Sequence, residues 1–236
     1  MRGLTGSTAI NVSAAAEPGG SLNRKGAIAA PMVRIEPRTG ALFGWAAVAA
    51  WIVLYLVAAT STPGYSITSQ RLSDLGNPSA PAPWAFNSAC ILAGLFFLPY
   101  AWALGAGMRP WMRRIGRYLL SLAAVFLLLL GVFHEESPYN LHFIFSGLFF
   151  ILFMMAISHY AVAMWRNPRY GKVSGALSVL ASGLALFFIV AVLVESLATP
   201  PVSESPLSNS LEHVSVFAGL AWAAWNAGRI FRLGRA

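Results

Sequence analysis

Six apolar segments dominate the chain, and they decide what it can fold into. A bilayer core about 30 Å thick is crossed by roughly 20 residues of helix. Segments of that length lie near residues 41–61, 84–107, 115–133, 141–165, 173–197 and 210–231. Runs such as AVFLLLLGVF are continuously apolar rather than alternating, which favours helices over the strands of a membrane barrel. The sequence therefore predicts an all-α, polytopic membrane helix bundle with six transmembrane helices within residues 40–232.

The basic residues predict how this bundle is oriented. All of the 16 Lys and Arg residues except Arg71 lie near the termini or in the second and fourth connections, on one side of the predicted membrane. Short loops rich in Lys and Arg stay in the cytoplasm, so we expect both termini there. Because these charges flank helices in four separate stretches, the net charge of +8 does not indicate nucleic-acid binding.

Residues 1–39 differ from the rest, because they are rich in Ala, Gly, Ser and Pro and contain no apolar run. We predict a disordered cytoplasmic tail. It lacks the apolar stretch of an export signal, so the first helix would direct insertion, and either Met1 or Met32 could be the true start. The compact architecture favours a multi-pass protein of a cell membrane, in particular a bacterial inner membrane. The lipid bilayer is the expected partner, and no protein partner or oligomeric state is specified.

The connection between the first two segments, residues 62–83, is the longest one between segments. Its middle stretch, ITSQRLSDL, predicts a short interfacial helix that Gly76 ends. The side chains expected to face lipid are those of Ile67, Leu72 and Leu75. Asp74 would lie in the last turn of this helix, where the helix dipole opposes a carboxylate. Arg71, three residues earlier and the lone basic residue on the outer side, is expected to pair with Asp74 or to contact an anion. The alternative is a solvated surface pair.

Acidic and histidine residues gather on the predicted outer side. Of the 8 Asp and Glu residues, only Glu17 and Glu36 fall on the cytoplasmic side. Carboxylates contribute little to orientation, so this distribution requires another cause. The outer acids are Asp74, Glu135, Glu136, Glu195, Glu204 and Glu212, and the outer histidines are His134, His142 and His213. We therefore predict a polar pocket, lined by acidic and histidine side chains, on the extracytoplasmic face.

Two of these residues lie near predicted helix starts. In HEESPYNLH, Ser137 and Pro138 predict a start that places His142 about five residues into the fourth helix, with its ring pointing into the bundle. Glu212 follows Asn209 by three residues, so it either completes a capping box or faces the pocket.

Glu195 is predicted in the last turn of the fifth helix, where the helix dipole opposes its charge. A carboxylate at a membrane interface normally needs a partner. The candidate partners are Arg71, His142 and His213.

Four stretches carry a resemblance to a known family. YSITSQRLSDLGNP, WAFNSACILAGLFFL, GVFHEESPYNLHFIFSGLFF and LEHVSVFAGLAW together resemble the six-helix membrane family of domain of unknown function 998, over residues 41–231. The most specific positions are the run from Ser73 to Gly76, Asn87, His142 and Glu212. Family members typically have a proline where His134 stands, so the resemblance implies a smaller role for His134. It implies a fold and candidate positions, but no activity.

The candidate ligand-binding residues of the outer pocket are Arg71, Asp74, Asn87, His142, Glu195, Glu212 and His213. The favoured function is binding of a lipid headgroup or small ligand. One alternative is a structural or accessory subunit without a catalytic site. A second alternative is a hydrolase acting on a lipid-linked substrate, with a divalent metal such as zinc bound by His142, Glu212 and His213. No cofactor is clearly indicated, and the sequence leaves open whether the protein is an enzyme. Haem binding and proton-coupled transport lack the residues they need.

Overall fold

The computed structural model describes residues 35–198 and 205–234. Within those ranges the chain forms six long α-helices and no strand, which confirms the predicted all-α fold. The helices are α1 (Pro37–Ser61), α2 (Pro83–Ala103), α3 (Pro110–Val132), α4 (Leu141–Trp165), α5 (Gly171–Ala198) and α6 (Pro206–Leu233). Residues 37–39, predicted as tail, already belong to α1. The predictions for residues 1–34, including the choice of start, lie outside the described residues.

Five of the helices, α1 to α5, are long and apolar enough to cross a membrane, so the chain is an integral, multi-pass membrane protein. The sixth helix, α6, has 28 residues, as many as α5. Its buried side chains include those of Asn209, Glu212, His213, Ser215 and Asn226. Polar residues in membrane helices normally face the interior of the bundle, where other groups satisfy them. The crossing of α6 remains a prediction from its length and position.

Proline marks where four of the helices begin. Pro37, Pro83, Pro110 and Pro206 each occupy the first position of a helix. At that position the missing N–H costs nothing and the fixed φ suits the helix. Accordingly, α3 begins earlier than the predicted residue 115. Hydropathy detects only the apolar part of a helix whose end carries arginines, and long basic side chains can lie along apolar surface while their charges reach water.

The helices are arranged in a ring. Each one contacts the next along the chain, and α1 also contacts α6. Small residues bring neighbours close together, since a Cβ added to Gly94 of α2 would lie 2.6 Å from the Ala124 carbonyl oxygen of α3. Hydrogen bonds place the α1–α2 connection, Glu135 and the first turns of α6 at the same end of the bundle. We call it the outer end, following the charge-based prediction.

Hydrogen bonds hold α6 to three other helices. Trp222 donates its indole N–H to the Ser178 hydroxyl of α5, 2.7 Å away. Tyr100 of α2 donates to the Ala223 carbonyl at 3.1 Å, and Trp45 of α1 donates to the Ala224 carbonyl at 3.1 Å. Such bonds contribute about 0.6 kcal/mol each in a membrane bundle. Together they fix the rotation of α6, and hence the direction in which its polar residues point.

The connection of residues 62–82, which we call the outer loop, does not form the predicted interfacial helix. It folds through turns, with a single 3₁₀ turn at Ser73–Gly76. The prediction that Leu72 and Leu75 face lipid is wrong, because they are only 2% and 1% exposed. Both side chains belong to the outer part of the core, beside Trp51. Inside the ring the two leucines pack against other side chains of the core, which favours this position through dispersion contacts.

Candidate functional site

The run from Ser73 to Gly76 is locked onto the start of α2. Asn87 donates its side-chain N–H to the Gly76 carbonyl at 3.1 Å. A Cβ on Gly76 would lie 2.4 Å from the Asn87 Oδ1 atom, so only glycine permits this approach. Asp74 accepts a hydrogen bond from the backbone N–H of Arg71 at 2.8 Å. Asn87 and the glycine are therefore parts of a joint between the outer loop and the bundle.

The first turns of α6 hold the outer loop from the other side. Glu212 accepts the backbone N–H of Leu72 at 2.9 Å in a buried position. Tyr65 meets the Nε2 atom of His213 at 2.5 Å, and the Nδ1 atom of that ring lies 2.8 Å from the Asn209 carbonyl. A carbonyl only accepts, so Nδ1 carries the proton and Nε2 of the neutral ring accepts from Tyr65. Burial raises the pKa of the Tyr65 hydroxyl, which therefore stays protonated as a donor.

Of the two alternatives for Glu212, the capping role is wrong. The cap of α6 is Ser205, whose hydroxyl accepts the backbone N–H of Ser208 at 3.1 Å. Glu212 therefore lies in the second turn rather than the first, and Asn209 lies inside the helix. The predicted apolar segment begins at residue 210, after Asn209. The polar first turn, which starts at Pro206, was therefore not predicted as part of the helix. Because Glu212 does not cap the helix, its buried carboxyl group can accept the hydrogen bond from Leu72 of the outer loop.

Glu195 lies in the last turn of α5, as predicted. The Ser205 hydroxyl donates to its carboxylate, so Ser205 joins the end of α5 to the beginning of α6. A donor at this position offsets the unfavourable helix dipole, as the argument from charge required.

The HEESPYNLH stretch differs from the prediction at its centre. Ser137 makes no capping bond, and a 3₁₀ turn at Pro138–Asn140 contains two residues with positive φ, Tyr139 and Asn140. The fourth helix, α4, then begins at Leu141, so His142 is its second residue rather than about its fifth. The Nδ1–H of His142 donates to the Phe133 carbonyl at 2.9 Å. This bond ties the end of α3 to the start of α4 and leaves Nε2 as the acceptor of the neutral ring.

Glu135, one of the outer acids, is not among the seven candidate binding residues predicted from the sequence, and the structure gives it a larger role. Its carboxylate accepts the Ser73 hydroxyl at 2.8 Å and the Asn77 side-chain N–H at 3.2 Å. These donors come from the outer loop, about 60 residues earlier in the chain. The available signal was its charge, since a carboxylate beside an apolar helix end needs partners.

One cleft of about 270 Å³ connects several of these polar groups with an apolar surface, and we call it the outer cleft. Its polar lining consists of Arg71, Ser73, Glu135, His142, Ser146, Ser196 and Glu212. Its apolar lining comes from α4 and α5 and consists of Phe143, Gly147, Phe150, Ile151, Phe188, Ile189, Val192 and Leu193. The polar groups lie at the outer helix ends, and the apolar walls extend along the helices toward the bundle centre.

The structure therefore separates the seven predicted site residues into three groups. Arg71, His142 and Glu212 line the outer cleft. Asp74 lines a separate polar hollow of about 330 Å³ on the outer loop, together with Tyr65. The remaining three, Asn87, Glu195 and His213, make the structural contacts described above and do not line the outer cleft.

The sequence of the helical domain matches a family model described as "Protein of unknown function (DUF998)" over residues 45–228. The chain belongs to this family. The predicted membership is thereby confirmed, and it covers most of the helical bundle of this DUF998 protein. No curated protein and no solved structure gives a significant match to it.

Metal binding finds no geometric support in the part of this DUF998 protein that the structure describes. No group of three or more His, Cys, Asp or Glu side chains in residues 35–198 and 205–234 is arranged to hold a metal ion. Of the three candidate ligands, His142 and Glu212 line the cleft, whereas His213 is engaged by Tyr65 and Asn209. What the cleft offers is a set of hydrogen-bonding and charged groups at the mouth of an apolar surface.

Proposed function

We propose that this DUF998 protein binds an amphipathic lipid in the outer cleft, with the headgroup at the polar end and the chain between α4 and α5. The observation that carries this proposal is the cleft itself. It joins Arg71, Glu135, His142 and Glu212 to a continuous apolar wall in a volume of about 270 Å³. Ligand sites are typically apolar cavities with a few convergent polar groups that set orientation.

The charges of the polar end suit a zwitterionic headgroup. The Arg71 guanidinium is a donor of the type that binds phosphate oxygens. The carboxylate of Glu135 and the Nε2 atom of His142 are acceptors for an ammonium group or hydroxyls. A headgroup that combines a phosphate with a primary ammonium complements both kinds of group.

The apolar part of the cleft is open to the side of the bundle that we expect to face lipid. Phe143 of α4 and Leu193 of α5 are 53% and 55% exposed. A Cβ added to Gly147, between them in the cleft lining, would meet no atom within 4 Å. A chain can therefore enter sideways from the outer leaflet without leaving the membrane.

Two histidines of α4 supply a matched test. His142 donates to the carbonyl of Phe133, directly after α3, at 2.9 Å, and His159 donates to the carbonyl of Met112 in α3 at 2.8 Å. Of these two histidines, only His142 lines the cleft. We expect His142→Ala to weaken binding of lysophosphatidylethanolamine to the purified protein in nanodiscs by at least about tenfold, the cost of losing a hydrogen bond to a charged group. His159→Ala should bind as the wild type does. Native mass spectrometry gives the bound fraction.

Two further ligands test separately how much the ammonium group and the chain contribute to the affinity. Lysophosphatidylglycerol lacks the ammonium group and should bind more weakly than lysophosphatidylethanolamine. Free phosphoethanolamine lacks the chain and should also bind more weakly. Equal losses for His142→Ala and His159→Ala would refute the headgroup site. Binding of phosphoethanolamine as tight as that of the lysolipid would instead indicate a soluble ligand.

A further inference from the structure

A second cavity lies directly behind the outer cleft, in the centre of the bundle. It has a volume of about 60 Å³, and we call it the aromatic chamber. Its lining includes Trp51, Phe86, Phe149, Phe153, Leu120 and Trp222. Cavities lined by such side chains stay dry and accept apolar guests.

The two cavities share part of their lining. Ser73, Ser146, Phe150 and Glu212 each line both the outer cleft and the aromatic chamber. Phe150 is the large apolar member of this shared wall, and it is only 4% exposed. Its ring lies between those of Phe149 and Phe188, with centroids 5.0 and 4.5 Å away. The chamber and the cleft therefore adjoin at Phe150.

We propose that the aromatic chamber receives the end of the lipid's chain and thereby makes this protein selective for chain length. The inference rests on the proposed lipid-binding function and adds that the protein selects lipids by the length of their chain. Within the membrane, moving a chain from lipid to protein gives no hydrophobic gain, so selectivity must come from packing. A chamber of limited volume can supply it, because a chain that is too short leaves it empty and one that is too long must bend.

The test changes the chamber volume in both directions and measures the preferred chain length. Ala123 and Leu120 line the chamber from α3. Leucine has three more side-chain carbons than alanine, so Ala123→Leu should shift the optimum of a lysophosphatidylethanolamine series to chains about three carbons shorter, and Leu120→Ala to chains about three carbons longer. Ala49→Leu, on the exposed side of α1, serves as the matched control and should leave the optimum unchanged. Competition between chain lengths in nanodiscs, read by native mass spectrometry, gives the optimum.

The outcomes distinguish this inference from the function on which it rests. If lysophosphatidylethanolamine still binds and neither chamber variant moves the chain-length optimum, the chamber does not receive the chain, while the headgroup site stands. If His142→Ala leaves binding unchanged, the headgroup site itself is wrong. Should one chamber variant fail to fold, the other still decides, because the two predict shifts of opposite sign.

Discussion

At the scale of single residues, several buried polar groups attach the outer loop to the bundle. The Tyr65 hydroxyl and the His213 ring form one such pair, and His213 is only 2% exposed. The backbone bond of Nδ1 to Asn209 fixes the tautomer, so the ring has one acceptor and the hydroxyl supplies its one donor. A histidine predicted from the sequence as a pocket residue is thus accounted for by two hydrogen bonds.

Tyr65→Phe tests this pairing. It removes the donor and leaves the Nε2 acceptor of His213 buried, which should lower the free energy of unfolding by about 1–3 kcal/mol. Tyr139→Phe is the control, because Tyr139 is 88% exposed and the same change should cost less than about 0.5 kcal/mol there. Unfolding in detergent, followed by temperature or denaturant, gives both values. Equal stabilities of the two variants would contradict the bond.

At the scale of elements, the outer loop acts as a fixed cover rather than a mobile connection. It is bonded to α2 through Asn87, to the end of α3 through Glu135, and to α6 through Glu212. Its two buried leucines add apolar packing to these bonds. A loop held on three elements can present Arg71 and Ser73 to the cleft in a defined geometry, which a binding site requires.

Substitutions of Glu212 test whether its hydrogen bond holds the outer loop. Glu212→Leu removes the acceptor of the buried Leu72 N–H, so hydrogen exchange in the outer loop should become about 5- to 150-fold faster, equivalent to roughly 1–3 kcal/mol. Glu212→Gln retains an acceptor oxygen and should exchange nearly as the wild type does. Exchange measured by mass spectrometry on peptides from residues 66–80 distinguishes them. Identical rates in the two variants would show that this bond does not hold the loop.

At the scale of the whole molecule, the helices followed from apolar runs, because each run determines its own helix. The outer loop could not be predicted in the same way. Its conformation depends on partners that are distant in sequence, such as Glu135 for Ser73 and Glu212 for Leu72. The start of α6 was misplaced for a related reason, since both Ser205 and Asn209 are good caps and local preference does not choose between them. His142, Arg71 and Glu212, which line the outer cleft, could be selected as candidates because rare polar residues in an apolar chain need partners.

The orientation of the bundle and the crossing of α6 rest on charge and length, and both can be tested together. In a Cys90→Ala background, single cysteines at exposed positions report which side of the membrane they occupy. Ser69 and Leu207 lie at the outer end, and Pro168 and Arg232 lie at the opposite end. The positive-inside rule predicts that a membrane-impermeant maleimide labels Ser69→Cys and Leu207→Cys on intact cells. Pro168→Cys and Arg232→Cys should react only after the membrane is opened.

Each alternative topology gives its own labelling pattern. An inverted bundle would exchange the two pairs, so that Pro168→Cys and Arg232→Cys react on intact cells. If α6 did not cross, Leu207→Cys and Arg232→Cys would react on the same side, while Ser69→Cys and Pro168→Cys would still differ. Glu212 and Asn226 are buried, and exposing either side chain to lipid would cost a large free energy. A crossing by α6 therefore requires that the ring is closed around its polar face. Labelling of α6 on both sides therefore tests the closed ring as well as the topology.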